Sequence, residues 1–243
     1  MCLSHSTAPP HDYHDRQISI CYKIRSLLIT LANQSSKYDQ ITPKIEYWIE
    51  YVFREDFATV DQLVEGVSGV AWERTSGSYS SVGRFLKEFH DAPHRSEPAK
   101  SFVSQLCHYV LRWFAIASTK DLYCFSGGLV SDDRHCFTSV ASFVGYLIKW
   151  ELFSHELVRR HLTKCLTNHH DHDSDRGPRT SGAIRARAVY SLLTAGSDPL
   201  LRGLLEPDDV RDCFSILDAW CPWDIGFNAA EVKVECTTRA GAS

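Results

Sequence analysis

The sequence predicts an all-α fold, a solenoid of about five antiparallel helix pairs stacked side by side. Three observations predict it. Apolar residues recur at helical spacing through most of the 243 residues. No segment alternates apolar and polar residues as a half-buried strand would, and no Asn-Gly or Asp-Gly pair marks a hairpin.

Taken in order, Ile20, Ile24, Leu27, Leu28 and Leu31 form one stripe of a first helix. Thr42-Pro43 predicts the start of a second, a side-chain cap followed by proline at the first helical position. Ile45, Trp48, Ile49, Val52 and Phe53 continue it. Thr59 and Gln62 have the spacing of a capping box and open a third helix, with Val60, Leu63, Val67 and Val70 on its buried face. Tyr79, Val82, Leu86 and Phe89 mark a fourth. Pro93 and Pro98 bracket a break before Phe102, Leu106, Tyr109, Val110 and Trp113. Val140, Phe143, Val144 and Leu147 make the next stripe. Ser154 then caps a helix carrying Leu157, Val158, His161, Leu162, Cys165 and Leu166. Val189, Leu192 and Leu193 mark one more. Pro207-Asp208-Asp209 opens the last, its acids suited to the positive end of the helix dipole, with Val210, Phe214 and Leu217 behind. Long loops are expected at 120–134, around Gly127-Gly128, and at 168–182. Residues 1–16 are expected to form a disordered tail, 17–223 one helical-repeat domain of HEAT-like character, and 224–243 a flexible C-terminal tail.

Composition narrows the classes. Apolar residues make up 44% and charged residues 23%, which fits a packed globular core rather than a disordered chain. A net charge of -4 argues against a surface devoted wholly to nucleic acid and leaves room only for a local basic face. No apolar run approaches the ~18–20 residues that cross a bilayer, and no signal-peptide pattern opens the chain, so no membrane partner is expected. The nine cysteines are scattered, with no Cys-x-x-Cys pair, and most lie in apolar helical stretches. They are expected to pack as reduced small hydrophobes in an intracellular compartment.

The segment Phe143-Val144-Gly145-Tyr146-Leu147-Ile148-Lys149-Trp150-Glu151-Leu152-Phe153-Ser154 resembles the Phe-Ile-Gly-x-Leu-Phe-Lys-x-x-x-Leu-Thr signature of the middle domain of eukaryotic translation initiation factor 4G. Other elements resemble that family in the same order. They are Lys23 to Leu28, Asp61 to Val67 with Ala71-Trp72-Glu73, Tyr79 to Phe89, His161 to Leu166, and Ala188 to Leu193 with Thr194-Ala195-Gly196. Together they cover roughly 18–220. The resemblance implies a helical scaffold engaging a DEAD-box RNA helicase, RNA or both; the sequence carries no Gly-x-Ser-x-Gly, phosphate-binding loop or paired-carboxylate motif, so no catalytic site and no cofactor are expected. The resemblance also implies a cytoplasmic setting, with the nucleus as the alternative. Two departures stand against family-typical partners: Tyr146 occupies the position of an acidic residue, and Pro222 interrupts where an Arg-rich closing helix is common.

Candidate binding residues are basic. Lys149, Arg159, Arg160 and Lys164 surround the motif, and Arg176, Arg179, Arg185 and Arg187 follow in sequence. They suit RNA phosphate or an acidic partner, while a solvated helix face accounts for the same residues. Trp113 and Trp150 are candidate stacking residues, although their spacing also suits the core. Cys165 with His169-His170-Asp171-His172-Asp173 resembles a metal set, but its turn-forming context predicts a solvated loop. Cys107-His108 and His135-Cys136 are adjacent, and neighbours on a helix point apart, so neither predicts a catalytic couple.

Overall fold

The computed structural model describes residues 10–72, 78–119 and 133–153, together with Leu192 and Ala195. Six α-helices follow one another: α1 (Pro10–Asn33), α2 (Tyr38–Arg54), α3 (Val60–Ser68), α4 (Ser80–Asp91), α5 (Glu97–Thr119) and α6 (Asp133–Lys149). Two short 3-10 turns, Ser35–Lys37 and Gly69–Trp72, join or extend them. No strand occurs among the described residues, so the described chain is all-α. Helix α1 begins at Pro10, inside the stretch expected to be a tail. Helix α6 begins at Asp133, inside the stretch 120–134 expected to be loop; residues 120–132, the whole 168–182 loop, the helices expected from Ser154, Pro207 and around Val189, and residues 224–243 lie outside the described residues.

The apolar stripes are the core. Ile24, Leu28 and Leu31 of α1 meet Ile45, Ile49 and Val52 of α2, and Leu63 and Val67 of α3, all essentially without solvent contact. Val82, Phe85, Leu86 and Phe89 extend that core from α4, and Phe102, Val103, Leu106 and Val110 from α5. Val140, Phe143, Val144 and Leu147 of α6 join it, as do Phe153 and Leu192. Burial of such side chains contributes roughly 1.5–3 kcal/mol each against conformational entropy. Helix α1 packs against α2, α3 and α4, while α5 packs against α2, α3, α4 and α6.

Thr42-Pro43 is not a helix start. Helix α2 begins at Tyr38, and Thr42 is buried with its hydroxyl donating to the Tyr38 carbonyl at 3.0 Å. The Ser35–Lys37 turn starts the winding early, which places Pro43 inside the helix, where it forfeits a backbone hydrogen bond and crowds the carbonyl one turn before it. Thr59 and Gln62, by contrast, form the expected box. The Thr59 amide donates to the Gln62 side-chain oxygen at 3.0 Å, and the Gln62 amide to the Thr59 hydroxyl at 3.3 Å.

Helices α2 and α6 stop in the same way. The Phe57 amide donates to the Val52 carbonyl and the Asp56 amide to that of Phe53, with Asp56 at φ 54°. At the end of α6, the Leu152 amide donates to Leu147 and the Glu151 amide to Ile148, with Glu151 also at φ 54°. Both are Schellman turns whose left-handed residue is acidic rather than glycine.

Candidate functional site

Of the basic candidates, Lys149 is described and lies exposed in the last turn of α6. Its ammonium stands 6.0 Å from the ring centre of half-buried Tyr146. Arg159, Arg160, Lys164, Arg176, Arg179, Arg185 and Arg187 lie outside the described residues, as does the histidine cluster 169–173. Among the described residues no group of His, Cys, Asp and Glu could hold a metal ion, and no helix is long and apolar enough to cross a membrane.

The end of α6 is held by α4. A Cβ on Gly83 would stand 2.7 Å from Cδ1 of Trp150 and 3.0 Å from the Tyr146 carbonyl. The two helices approach closely at Gly83 of α4. Trp150 presses its indole there, with Nε1 buried and without a hydrogen-bond partner. Phe143 meets Tyr79 edge-on at 5.0 Å, and the Tyr79 hydroxyl donates to the Val70 carbonyl at 3.1 Å. Trp113 packs edge-on against Trp72 at 5.7 Å. Both tryptophans singled out for stacking thus spend at least part of their surface on the interior.

A second surface, not read from the sequence as a site, lies across α1 and α2. Tyr47 is 54% exposed, the largest departure from burial on α2 among the hydrophobic residues. Its ring stacks on Tyr51 at 5.8 Å and meets Trp48 edge-on at 5.3 Å. The Lys23 ammonium from α1 sits 4.0 Å over the Trp48 ring, and the Arg54 guanidinium lies 5.6 Å from the Tyr51 ring centre. Lys44 is exposed one turn before Tyr47 and Trp48. The acidic residues Glu46 and Glu50 face away: Glu46 is ion-paired with Arg95 in the turn before α5, Glu50 accepts from the Ser96 hydroxyl at 3.0 Å and lies 4.0 Å from the same guanidinium, which also covers Phe89 at 4.5 Å. The sequence signal was available: Lys44, Tyr47, Tyr51 and Arg54 recur at helical spacing outside the Ile45, Ile49 and Val52 stripe.

Between α1 and α3 a cleft of about 370 Å³ opens, lined by Ile18, Cys21, Tyr22, Gln62, Glu65 and Gly66 among others. Gly66 sets its floor, since a Cβ there would stand 2.7 Å from the Cβ of Cys21. Burial raises the Cys21 thiol pKa and takes that of Cys107 to about 12, so both stay protonated at neutral pH. Cys107 is buried while His108 points to solvent, and the pair forms no nucleophile–base couple.

Comparison with protein-family models, curated proteins and solved structures returns no match for this chain.

Proposed function

We propose that the chain is a non-enzymatic binding scaffold of the kind found in the middle domain of initiation factor 4G. On this reading its helices form a HEAT-like solenoid of about five pairs. It engages a DEAD-box RNA helicase, RNA, or both, in translation or RNA metabolism, in the cytoplasm or the nucleus. The observation that carries the reading is the end of α6. Phe143, Val144, Leu147, Ile148 and Phe153 of the signature-like segment are buried, while Lys149 and Glu151 are presented to solvent beside it. A motif whose apolar positions pack and whose charged positions remain outside has the form of a docking corner on a rigid support.

Calorimetric titration with an initiation-type DEAD-box helicase tests the reading. Binding that weakens about tenfold or more in Lys149→Glu, with the melting temperature unchanged, supports it. No heat at protein concentrations of about 50 μM removes the helicase. Salt-dependent RNA binding, lost when Arg159, Arg160 and Lys164 are reversed in charge and weakened by reversal of Arg185 and Arg187, supports the RNA arm.

A second reading is an adaptor for proteins alone, with neither helicase nor RNA. The specific observation in its favour is Tyr146, which places an aromatic ring beside Lys149 where the resembled family carries an acid.

A further inference from the structure

We propose that the aromatic and cationic surface across α1 and α2 is a docking site for an acidic peptide segment anchored by an aromatic or proline side chain. This does not depend on the helicase reading, because the surface lies on other helices than Lys149.

The chemistry follows from six residues. Tyr47, Trp48 and Tyr51 form a continuous edge-and-face aromatic ridge, with Tyr47 more than half exposed. Such rigid amphipathic rings supply contact area at small entropic cost, and Trp, Tyr and Arg are the residues that dominate protein interfaces. Lys23 and Arg54 are held over this ridge by their contacts with Trp48 and Tyr51. Neither Lys23 nor Lys44 is paired with a carboxylate among the described residues. Arg54 keeps one acidic neighbour, Glu55, at 3.1 Å on an exposed face. The charge balance of the surface is therefore positive, in a chain whose net charge is -4. An incoming segment is complementary when it brings carboxylates to the lysines and one flat or ring-shaped side chain to the ridge.

Single-stranded RNA is the competing occupant, and the geometry favours it less. The Tyr47 and Tyr51 rings are 5.8 Å apart and nearly parallel at 16°. Single-strand sites stack successive bases on separate aromatic faces, whereas these two rings are already stacked on each other. Three cations, one already bridged to Glu55, neutralise only about two phosphates, a small share of what nucleic-acid binding ordinarily uses.

Selection of a random-peptide phage library on the full chain tests the proposal. Enriched peptides are expected to carry Asp or Glu around an aromatic or proline residue. A synthetic copy of the most enriched peptide, followed by fluorescence anisotropy, should bind about tenfold or more weakly to Tyr47→Ala and to Lys23→Glu/Lys44→Glu. Affinity should also fall as salt rises, and circular dichroism melting of the variants should match that of the parent. Enriched peptides without acidic residues, or binding indifferent to these substitutions, overturn the proposal. So does an oligouridylate probe that binds in competition with the selected peptide and loses affinity in the same variants, which would assign the surface to RNA. Lys149→Glu is the control: it should leave peptide binding intact, which separates failure here from failure of the helicase reading.

Discussion

Gly83 meets the end of α6 and Glu151 terminates that helix, and each predicts a different sign of change. At Gly83 the nearest neighbours of an added methyl group are an indole carbon and a backbone carbonyl, and the carbonyl cannot swing aside. Gly83→Ala should lower stability by about 1–3 kcal/mol in urea unfolding. Glu151 sits at φ 54°, where an L-residue with a Cβ costs roughly 1–2 kcal/mol, partly offset by the chain entropy a glycine loses. Glu151→Gly should therefore raise stability by about 0.5–1 kcal/mol in the same measurement. The thiols give a third test. Cys107, with its pKa taken to about 12 by burial, should resist alkylation at neutral pH until the chain is unfolded. Rapid modification of Cys107 in the folded protein would contradict the packing described for α5.

Among elements, α4 carries a pH dependence. Burial alone would raise the Glu88 carboxyl, but hydrogen bonds from the Tyr38 hydroxyl at 2.7 Å and from Arg84 at 2.8 Å hold its pKa below the usual 4.5. Asp91 is likewise held below 3.8, first by the His90 hydrogen bond and then by Lys87, against partial desolvation. Both folded values are depressed, so the stabilisation is fully present above about pH 5 and is lost as pH falls through them. Glu88→Gln should flatten the loss of stability on acidification below that point, read from melting temperature against pH. The α2–α3 junction supplies the element-scale cap: Thr59→Ala removes the hydroxyl that the Gln62 amide uses and should cost about 1 kcal/mol. That cap was legible in the sequence because a capping box has fixed spacing. The start of α2 was not, because the early winding at Ser35–Lys37 is a local choice that a proline signal cannot report. Stripes such as Ile24, Leu28 and Leu31 were legible because period and burial express the same geometry.

Across the whole molecule, helical class followed from periodicity, whereas the site did not. Which faces of packed helices remain open depends on which helices meet, and periodicity is silent on that. Trp113 and Trp150, singled out as candidates, are half-buried with part of each ring packed on a neighbouring element, and Tyr47, passed over, stands out. Lys149 is exposed at the end of α6, while the remaining basic candidates lie outside the described residues.

The position of α1 at the meeting of α2, α3 and α4 has a consequence for biosynthesis. Of the six described helices the ribosome releases α1 before the others, yet part of its lining arrives only once translation has passed Asp91. At about 5–20 residues per second, that leaves the α4-facing part of the α1 apolar stripe uncovered on the order of seconds. A nascent chain stalled before α4 should therefore bind holdase chaperones, and one stalled after α5 has emerged should release them.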